Sequence, residues 1–452
     1  MTQASSGKAA GVVLRTWRDM PVCERGEGIY LFDREGKRYI DGAAGSSVVV
    51  NIGHGVKEVA EAMYRQAQKV SFAAPHVFAN EPLLELGRLV ADRAPGTMRN
   101  NCRTWFTCTG TDAVDDAMRL TRQHFVASGK RSKQLIIGRW QGFHGNNIAV
   151  SGIHGHTGRR RIYLPMYINS PHIPAAYCYR CYFEMTYPDC GLKCARALET
   201  EIRQQGDENV AAFIAEPVVG AALGAVPAPE GYFQVIRDIC TKYNVMMIAD
   251  EVMTAWGRIG HWFGIEDWGV TPDIIATAKG MTSGYTALAA TIAREEIWAP
   301  IQESGVPFLA GHTMDLNPVS CAGARVAIEY MEKHRLMENV REVGVYLQER
   351  LRELLEFKIV GDVRGKGLMC GIEFVRDRRT KQPFDPGLKV SLRFQDEAMR
   401  RGLILFHCTG CVEGVAGDMM LVTPPLVITR AQVDEMMDIL TQTTAAIQKE
   451  VL

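Results

Sequence analysis

The stretch Ile248–Gly280, IADEVMTAWGRIGHWFGIEDWGVTPDIIATAKG, decides how this chain is read. Val245–Ala249 is a continuous apolar run of buried-strand length, and it stops at two acids, Asp250 and Glu251. A Gly- and Trp-rich irregular stretch follows. A second apolar run, Asp273–Thr277, then ends at Ala278-Lys279-Gly280. In parallel α/β sheets the carboxyl ends of strands face the ligand crevice. An Asp and a Lys at two such ends, with glycines that let backbone approach closely, suit a Schiff-base cofactor: the amine carries the carbonyl, and the carboxylate keeps a ring nitrogen protonated.

Working outward, strands and helices alternate. Thr104–Cys108 reads as a strand running into Thr109-Gly110-Thr111-Asp112, which opens a helix over Ala113–Ser128. A Thr/Gly/Thr turn there offers backbone N–H groups and hydroxyls at the positive end of a helix dipole, which suits a phosphate held by Gly110 and Thr111. Such turns also serve as ordinary N-caps. Gln134–Ile137 and Ala211–Ala215 are further strands, the second ending at Glu216, and Ala287–Ala293 is another. This spacing predicts an α/β fold with a mostly parallel central sheet flanked by helices.

Before this block, residues 1–27 read as a surface arm anchored by Trp17. Gly28–Asp33 and Lys37–Asp41 alternate as a β-hairpin about Glu35-Gly36, and a small-residue loop with Ser46 and Ser47 follows. From Ile359 onward the pattern becomes strand–turn–strand, with a helix at about 386–401, strands at Leu403–Phe406 and Met419–Thr423, and a closing helix. Pattern changes near residues 60 and 325 divide the chain. Residues 1–60 and 326–452 form a small α+β domain, and residues 61–325 form the large one, with a Cys-rich insertion near 160–196. Cys178, Cys181, Cys190 and Cys194 lie in that insertion. Their types suit zinc or an iron–sulfur cluster, but the eight-residue connection is shorter than a usual zinc ribbon, so unmetallated loop thiols are the simpler reading.

Length and composition bound the rest. A chain of 452 residues, 47% hydrophobic, can bury a large core in two or three domains. Fifty-one basic and fifty-one acidic residues give zero formal charge, which argues against a nucleic-acid or membrane-surface partner. The N-terminal stretch has no apolar core of signal-peptide length, and no later stretch approaches a membrane span. With twelve cysteines, the expectation is a cytoplasmic enzyme with thiols in a reducing compartment.

Asp250-Glu251-Val252, Gly257-Arg258-Ile259-Gly260 and Ala278-Lys279-Gly280, in that order and spacing, resemble the signature of class III aminotransferases. These are pyridoxal 5'-phosphate (PLP) enzymes of fold type I, and many act on ω-amino compounds. The resemblance runs from about Gly28 to the C-terminus. It implies that Lys279 is the Schiff-base lysine and Asp250 the partner of the ring nitrogen. Phe143, before His144-Gly145, would stack on the ring, without the hydroxyl of the more usual Tyr. Val252 would pack on the opposite face, and Glu216 would stand beside the cofactor oxygen. Gly110 and Thr111 occupy the family's phosphate turn. Thr313, in Gly311-His312-Thr313, would reach the phosphate bound by a neighbouring subunit, which implies a homodimer or a dimer of dimers with shared sites.

The expected activity is ping-pong transfer of an amino group from an amine or (ω-)amino acid donor to a keto acid such as pyruvate. A racemase, epimerase or phospho-lyase outcome on the same fold is the alternative. A metal-binding or interaction protein on a decayed enzyme fold is a further one. Many relatives carry an arginine shortly before the C-terminal Pro424-Pro425-Leu426 block, for a substrate carboxylate. Leu403–Leu421 contains none, so Arg258 becomes the candidate cation, with Trp17 and Ser47 as further substrate-side residues.

Overall fold

The computed structural model describes residues 11–16 and 19–452. Trp17 lies outside the described residues. The centre is a seven-stranded sheet in the order Cys102–Thr107, Ala289–Arg294, Ile274–Thr277, Met246–Asp250, Val210–Ala215, Leu135–Arg139 and His172–Ile173. Ala289–Arg294 runs against both its neighbours, and every other adjacent pair is parallel. The strands at the middle are buried on both faces: all six residues of Val210–Ala215 and all five of Met246–Asp250 are buried. That is why they read as unbroken apolar runs and not as alternating ones.

Helices cover both faces. Gly110–Ala127 begins with a capping box in which Thr109 accepts from the Asp112 N–H and Asp112 accepts from the Thr109 N–H. Tyr232–Lys242 returns the chain to the central strand, burying Phe233, Ile236 and Ile239. These helices repay the entropy of ordering by placing one apolar stripe each on the sheet.

The N- and C-terminal segments share one smaller sheet. Tyr30–Asp33 and Arg38–Asp41 form the expected hairpin, and the far strand pairs in parallel with Leu403–Ile404. A strand at Cys23–Glu27 extends this sheet into the segment read as a surface arm; a tight turn at Gly28, φ +56°, lets it fold back on Tyr30–Asp33. A second, antiparallel sheet takes Val360–Lys366, Met369–Phe374, Ala416–Val422 and Phe406–Val412 in that order. The strand expected at Leu403–Phe406 is therefore two, and Phe406–Val412 was not anticipated. Its two cysteines, Cys408 and Cys411, are buried core residues. No helix among the described residues is long and apolar enough to cross a membrane.

Candidate active site

Register brings the two reactive groups together. Asp250, the last residue of its strand, pairs with Ala276 on the neighbouring strand, three residues before Lys279. The Glu251 N–H continues the ladder to the Ala276 carbonyl at 2.8 Å. Lys279 then adopts φ +46°. A left-handed turn at a non-glycine residue costs about 1–3 kcal/mol and persists only where the surroundings impose it. Here they do. Gly280 packs so closely on Asn51 that a Cβ would sit 2.2 Å from its Nδ2.

Burial lowers the Lys279 amine from 10.5 to about 8; Asp250 and Glu216 pull it upward, while Arg159 and Arg258 add to the lowering. Asp250 is buried, with Oδ2 2.7 Å from His144 Nδ1 and Oδ1 accepting from the Val252 N–H at 3.0 Å. Facing a carboxylate, Nδ1 must carry the hydrogen, and the buried Nε2 of His144 has no partner. Glu216 accepts from the Phe143 N–H at 3.0 Å and the Gly220 N–H at 2.9 Å. Burial raises its carboxyl above the ordinary range, Asp250 adding to the effect and His144 and the two N–H donors opposing it.

Glu251, next to Asp250, has a different task. It is fully buried and accepts from the Gly264 N–H at 2.8 Å, the Ile265 N–H at 2.6 Å and the Thr254 hydroxyl. It thereby shapes the loop between the two strand ends.

The sequence-predicted residues are brought together only in part. Lys279, Asp250, His144 and Glu216 are linked by the contacts and fields just described. Gly110 lies against Val252 and Ala278, where a Cβ would meet Val252 at 3.0 Å, so the first turn of its helix closes on this loop. Thr111 accepts from the Asn146 N–H at 3.3 Å. Phe143 packs near His154, 5.3 Å between ring centroids, with the Arg159 guanidinium 4.6 Å from its ring centre. Ser47 sits in the turn Ala44–Val48, whose neighbours Gly45 and Ser46 have φ of +74° and +99°. Thr313 is exposed on the surface of the chain.

Arg258 stands apart from its expected role. It is fully buried, donating to the Pro424 carbonyl at 2.6 Å, the Leu368 carbonyl at 3.2 Å and Asn51 Oδ1 at 2.6 Å. Those bonds tie N-terminal, central and C-terminal segments together, which is a strut's position and not a substrate contact. Two residues escaped the sequence reading. Asn51 also donates to the Trp256 carbonyl at 2.8 Å, joining the strut to the lysine turn. Arg159, exposed in this chain, is the other cation whose charge acts on Lys279. The signal for Arg159 was only its place in an Arg-rich run, Arg159–Arg161. As for the four cysteines of the insertion, no three of their sulfurs lie within 4.8 Å of one another.

The residues present fit a pyridine aldehyde phosphate. The lysine has a depressed pKa, a carboxylate stands on the adjoining strand end, and the orphaned His144 Nε2 lies beside it. A helix N-terminus, whose first-turn N–H groups lack intrahelical partners, closes on the same loop. Fold and site thus define a fold type I PLP enzyme.

Comparison with known proteins narrows this to a family. The model of the class-III aminotransferases matches residues 15–444, and the chain belongs to that family. It is 35% identical over 438 residues to the putrescine–pyruvate aminotransferase of Pseudomonas aeruginosa, covering 94% of this chain and 91% of the relative. Among solved structures it resembles an (S)-enantioselective omega-transaminase from Thermomicrobium roseum, with a TM-score of 0.90, 33% identity and 98% of each chain covered. It also resembles a PLP-bound amine transaminase from an uncultivated Pseudomonas species, with a TM-score of 0.89 and 30% identity over 99% of this chain and 97% of that one. The protein is a PLP-dependent aminotransferase, and the racemase or phospho-lyase alternative is not favoured.

Proposed function

We propose that this enzyme moves the amino group of an amine or ω-amino compound to a small keto acid such as pyruvate, with Lys279 as the residue that carries the cofactor and moves the proton. The observation that supports this most directly is the buried amine, at about 8, facing Asp250 and Glu216 across adjoining strand ends. Gly110 and Thr111 would hold the phosphate, Phe143 and Val252 would flank the ring, and Asp250 would face the ring nitrogen. When bound, the cofactor supplies an aldehyde carbon for the amino group and an electron sink for the broken C–H bond.

The chain's own residues do the rest. The lowered amine of Lys279 makes its neutral form accessible near neutral pH, so it can take a proton from the substrate carbon and return it to the carbon the cofactor would bring as its aldehyde. His144 donates to Asp250 and fixes its orientation. Glu216, held by two backbone N–H groups, positions Phe143. The acceptor's carboxylate would meet Arg159, which is exposed, lies over Phe143, and acts electrostatically on Lys279.

Assembly and location belong to the same reading. Thr313, exposed on its loop, would complete the phosphate site of a second copy in a homodimer. All twelve cysteines are unpaired, which suits a reducing cytoplasm. The deciding experiment is a panel of simple amines, diamines and α-amino acids, each incubated with pyruvate and the purified enzyme. Formation of alanine with loss of particular amines is expected. Racemised amino acid or released phosphate, without alanine from any donor, would overturn the reading.

A further inference from the structure

Asp116 stands in the buried stripe of the helix Gly110–Ala127, fully inaccessible, with neither carboxylate oxygen hydrogen-bonded to anything. A buried carboxylate without a donor or counter-charge is costly enough to need an explanation. The nearest basic group on the same helix, Arg119, is held by Asp115 at 2.7 Å.

What Asp116 faces is a second buried carboxylate and an imidazole. Asp315 is 2% exposed, and a ligand atom from each of Asp116, His312 and Asp315 lies within 4.8 Å of the other two. Asp315 is already oriented: its Oδ1 accepts from the Thr107 hydroxyl at 2.9 Å, and its Oδ2 accepts from the His312 N–H at 2.8 Å. Cys108 Sγ lies 3.9 Å from the same Oδ1. His312 Nδ1 is 3.4 Å from the Thr107 hydroxyl, and its Nε2 is 3.9 Å from Asp112 Oδ1. The His312 side chain is 47% exposed, so water can reach the third side of the group. Two acids gathered in this way, one from a helix and one from a loop, lack a positive charge between them.

We propose that Asp116, His312 and Asp315 form a divalent-cation site, separate from the cofactor pocket, that takes an ion of the Mn²⁺ or Zn²⁺ kind. Two carboxylate oxygens and one imidazole nitrogen are the donor types such ions accept, with water completing the shell. The ion neutralises the orphaned Asp116 and closes the Gly311–Leu316 loop onto the phosphate-turn helix. Asp116 is five residues beyond Thr111, about 7–8 Å along the helix axis. The bound ion therefore fixes the loop that carries Thr313 relative to Gly110 and Thr111.

The test uses PLP-loaded protein, freed of any affinity tag and of chelatable metal, titrated with Mn²⁺ while the paramagnetic resonance signal of the free ion is recorded. Mn²⁺ is the probe because the thiols at 178–194 bind it poorly compared with zinc. Wild-type protein is expected to withhold one Mn²⁺ per chain and to release it to added Zn²⁺. Asp116→Asn and Asp315→Asn should each weaken that binding by roughly tenfold or more. The exposed His312→Ala serves if either buried variant fails to retain its cofactor absorbance. Cys178→Ser with Cys190→Ser should leave binding unchanged. No withheld Mn²⁺ at millimolar concentration, or undiminished binding by the Asp116 and His312 variants, would overturn the proposal and leave Asp116 as a carboxyl group that holds its proton.

Discussion

His144 Nδ1 donates to Asp250 Oδ2 across 2.7 Å, joining positions 106 residues apart in the sequence, both of them buried. The bond leaves Asp250 Oδ1 to the Val252 N–H. Asn at position 250 keeps the shape but removes the carboxylate that the ring nitrogen would face. Asp250→Asn should therefore lower kcat by about 10²-fold or more, as losses of a preorganised charge partner do. Stopped-flow measurement of single turnovers, with cofactor content checked by absorbance, distinguishes this from simple loss of PLP. Unchanged kcat with full cofactor would count against the assignment of Asp250.

Lys279 supplies the pH dependence. Burial brings its amine to about 8 from 10.5, so the neutral, nucleophilic form accumulates as pH rises through 8. Protein stripped of cofactor should regain visible absorbance on adding PLP at a rate that rises with pH and levels off near 8 and not near 10.5. The sign for stability is the same. Between these two values the unfolded chain holds the extra proton, so raising pH across that window should stabilise the stripped fold. Lys279→Ala should abolish both turnover and the absorbance, with thermal unfolding little changed.

Arg159 is expected to act on one half-reaction only. Arg159→Ala should raise KM for pyruvate by roughly 10-fold or more, the loss of about one charge-assisted contact, while KM for a simple amine donor stays within about twofold. Equal effects on both substrates would place Arg159 outside acceptor recognition.

Arg258 should prove structural. Replacing it by Met leaves the Pro424 and Leu368 carbonyls and Asn51 Oδ1 without their donor, and each buried acceptor left unpaired costs about 1–3 kcal/mol. The expected result is a lower denaturant midpoint that extends to cofactor-free protein. A variant with wild-type stability but impaired keto-acid binding would restore Arg258 to the substrate side.

Much of this was legible because strand ends announce themselves. An apolar run that stops at Asp250, and another at Lys279, needed no tertiary knowledge beyond the parallel-sheet rule. The helix start after Thr109 was readable from cap chemistry, with Asp112 three residues on. Arg258 was not, because motif position says nothing about which face of a loop is covered, and its three acceptors come from segments up to 207 residues away. Asp116 lies within the helix the sequence predicts. Its spacing from Ala113, Ala117 and Leu120, all buried, placed it on the inward stripe and was a usable signal. Arg159 had no comparable mark. Phe406–Val412 was obscured by Gly410 and by cysteines, residues that seldom advertise a strand.

Asn51 carries a practical lesson for anyone recombining this enzyme with a relative. Its amide oxygen takes Arg258, its nitrogen gives to Trp256, and its side chain abuts Gly280 with no room for a methyl group. A chimera with a crossover anywhere between positions 51 and 280 separates parts of this joint. Such a graft will assemble cleanly only if the incoming segment brings an amide at the first position and a glycine at the last.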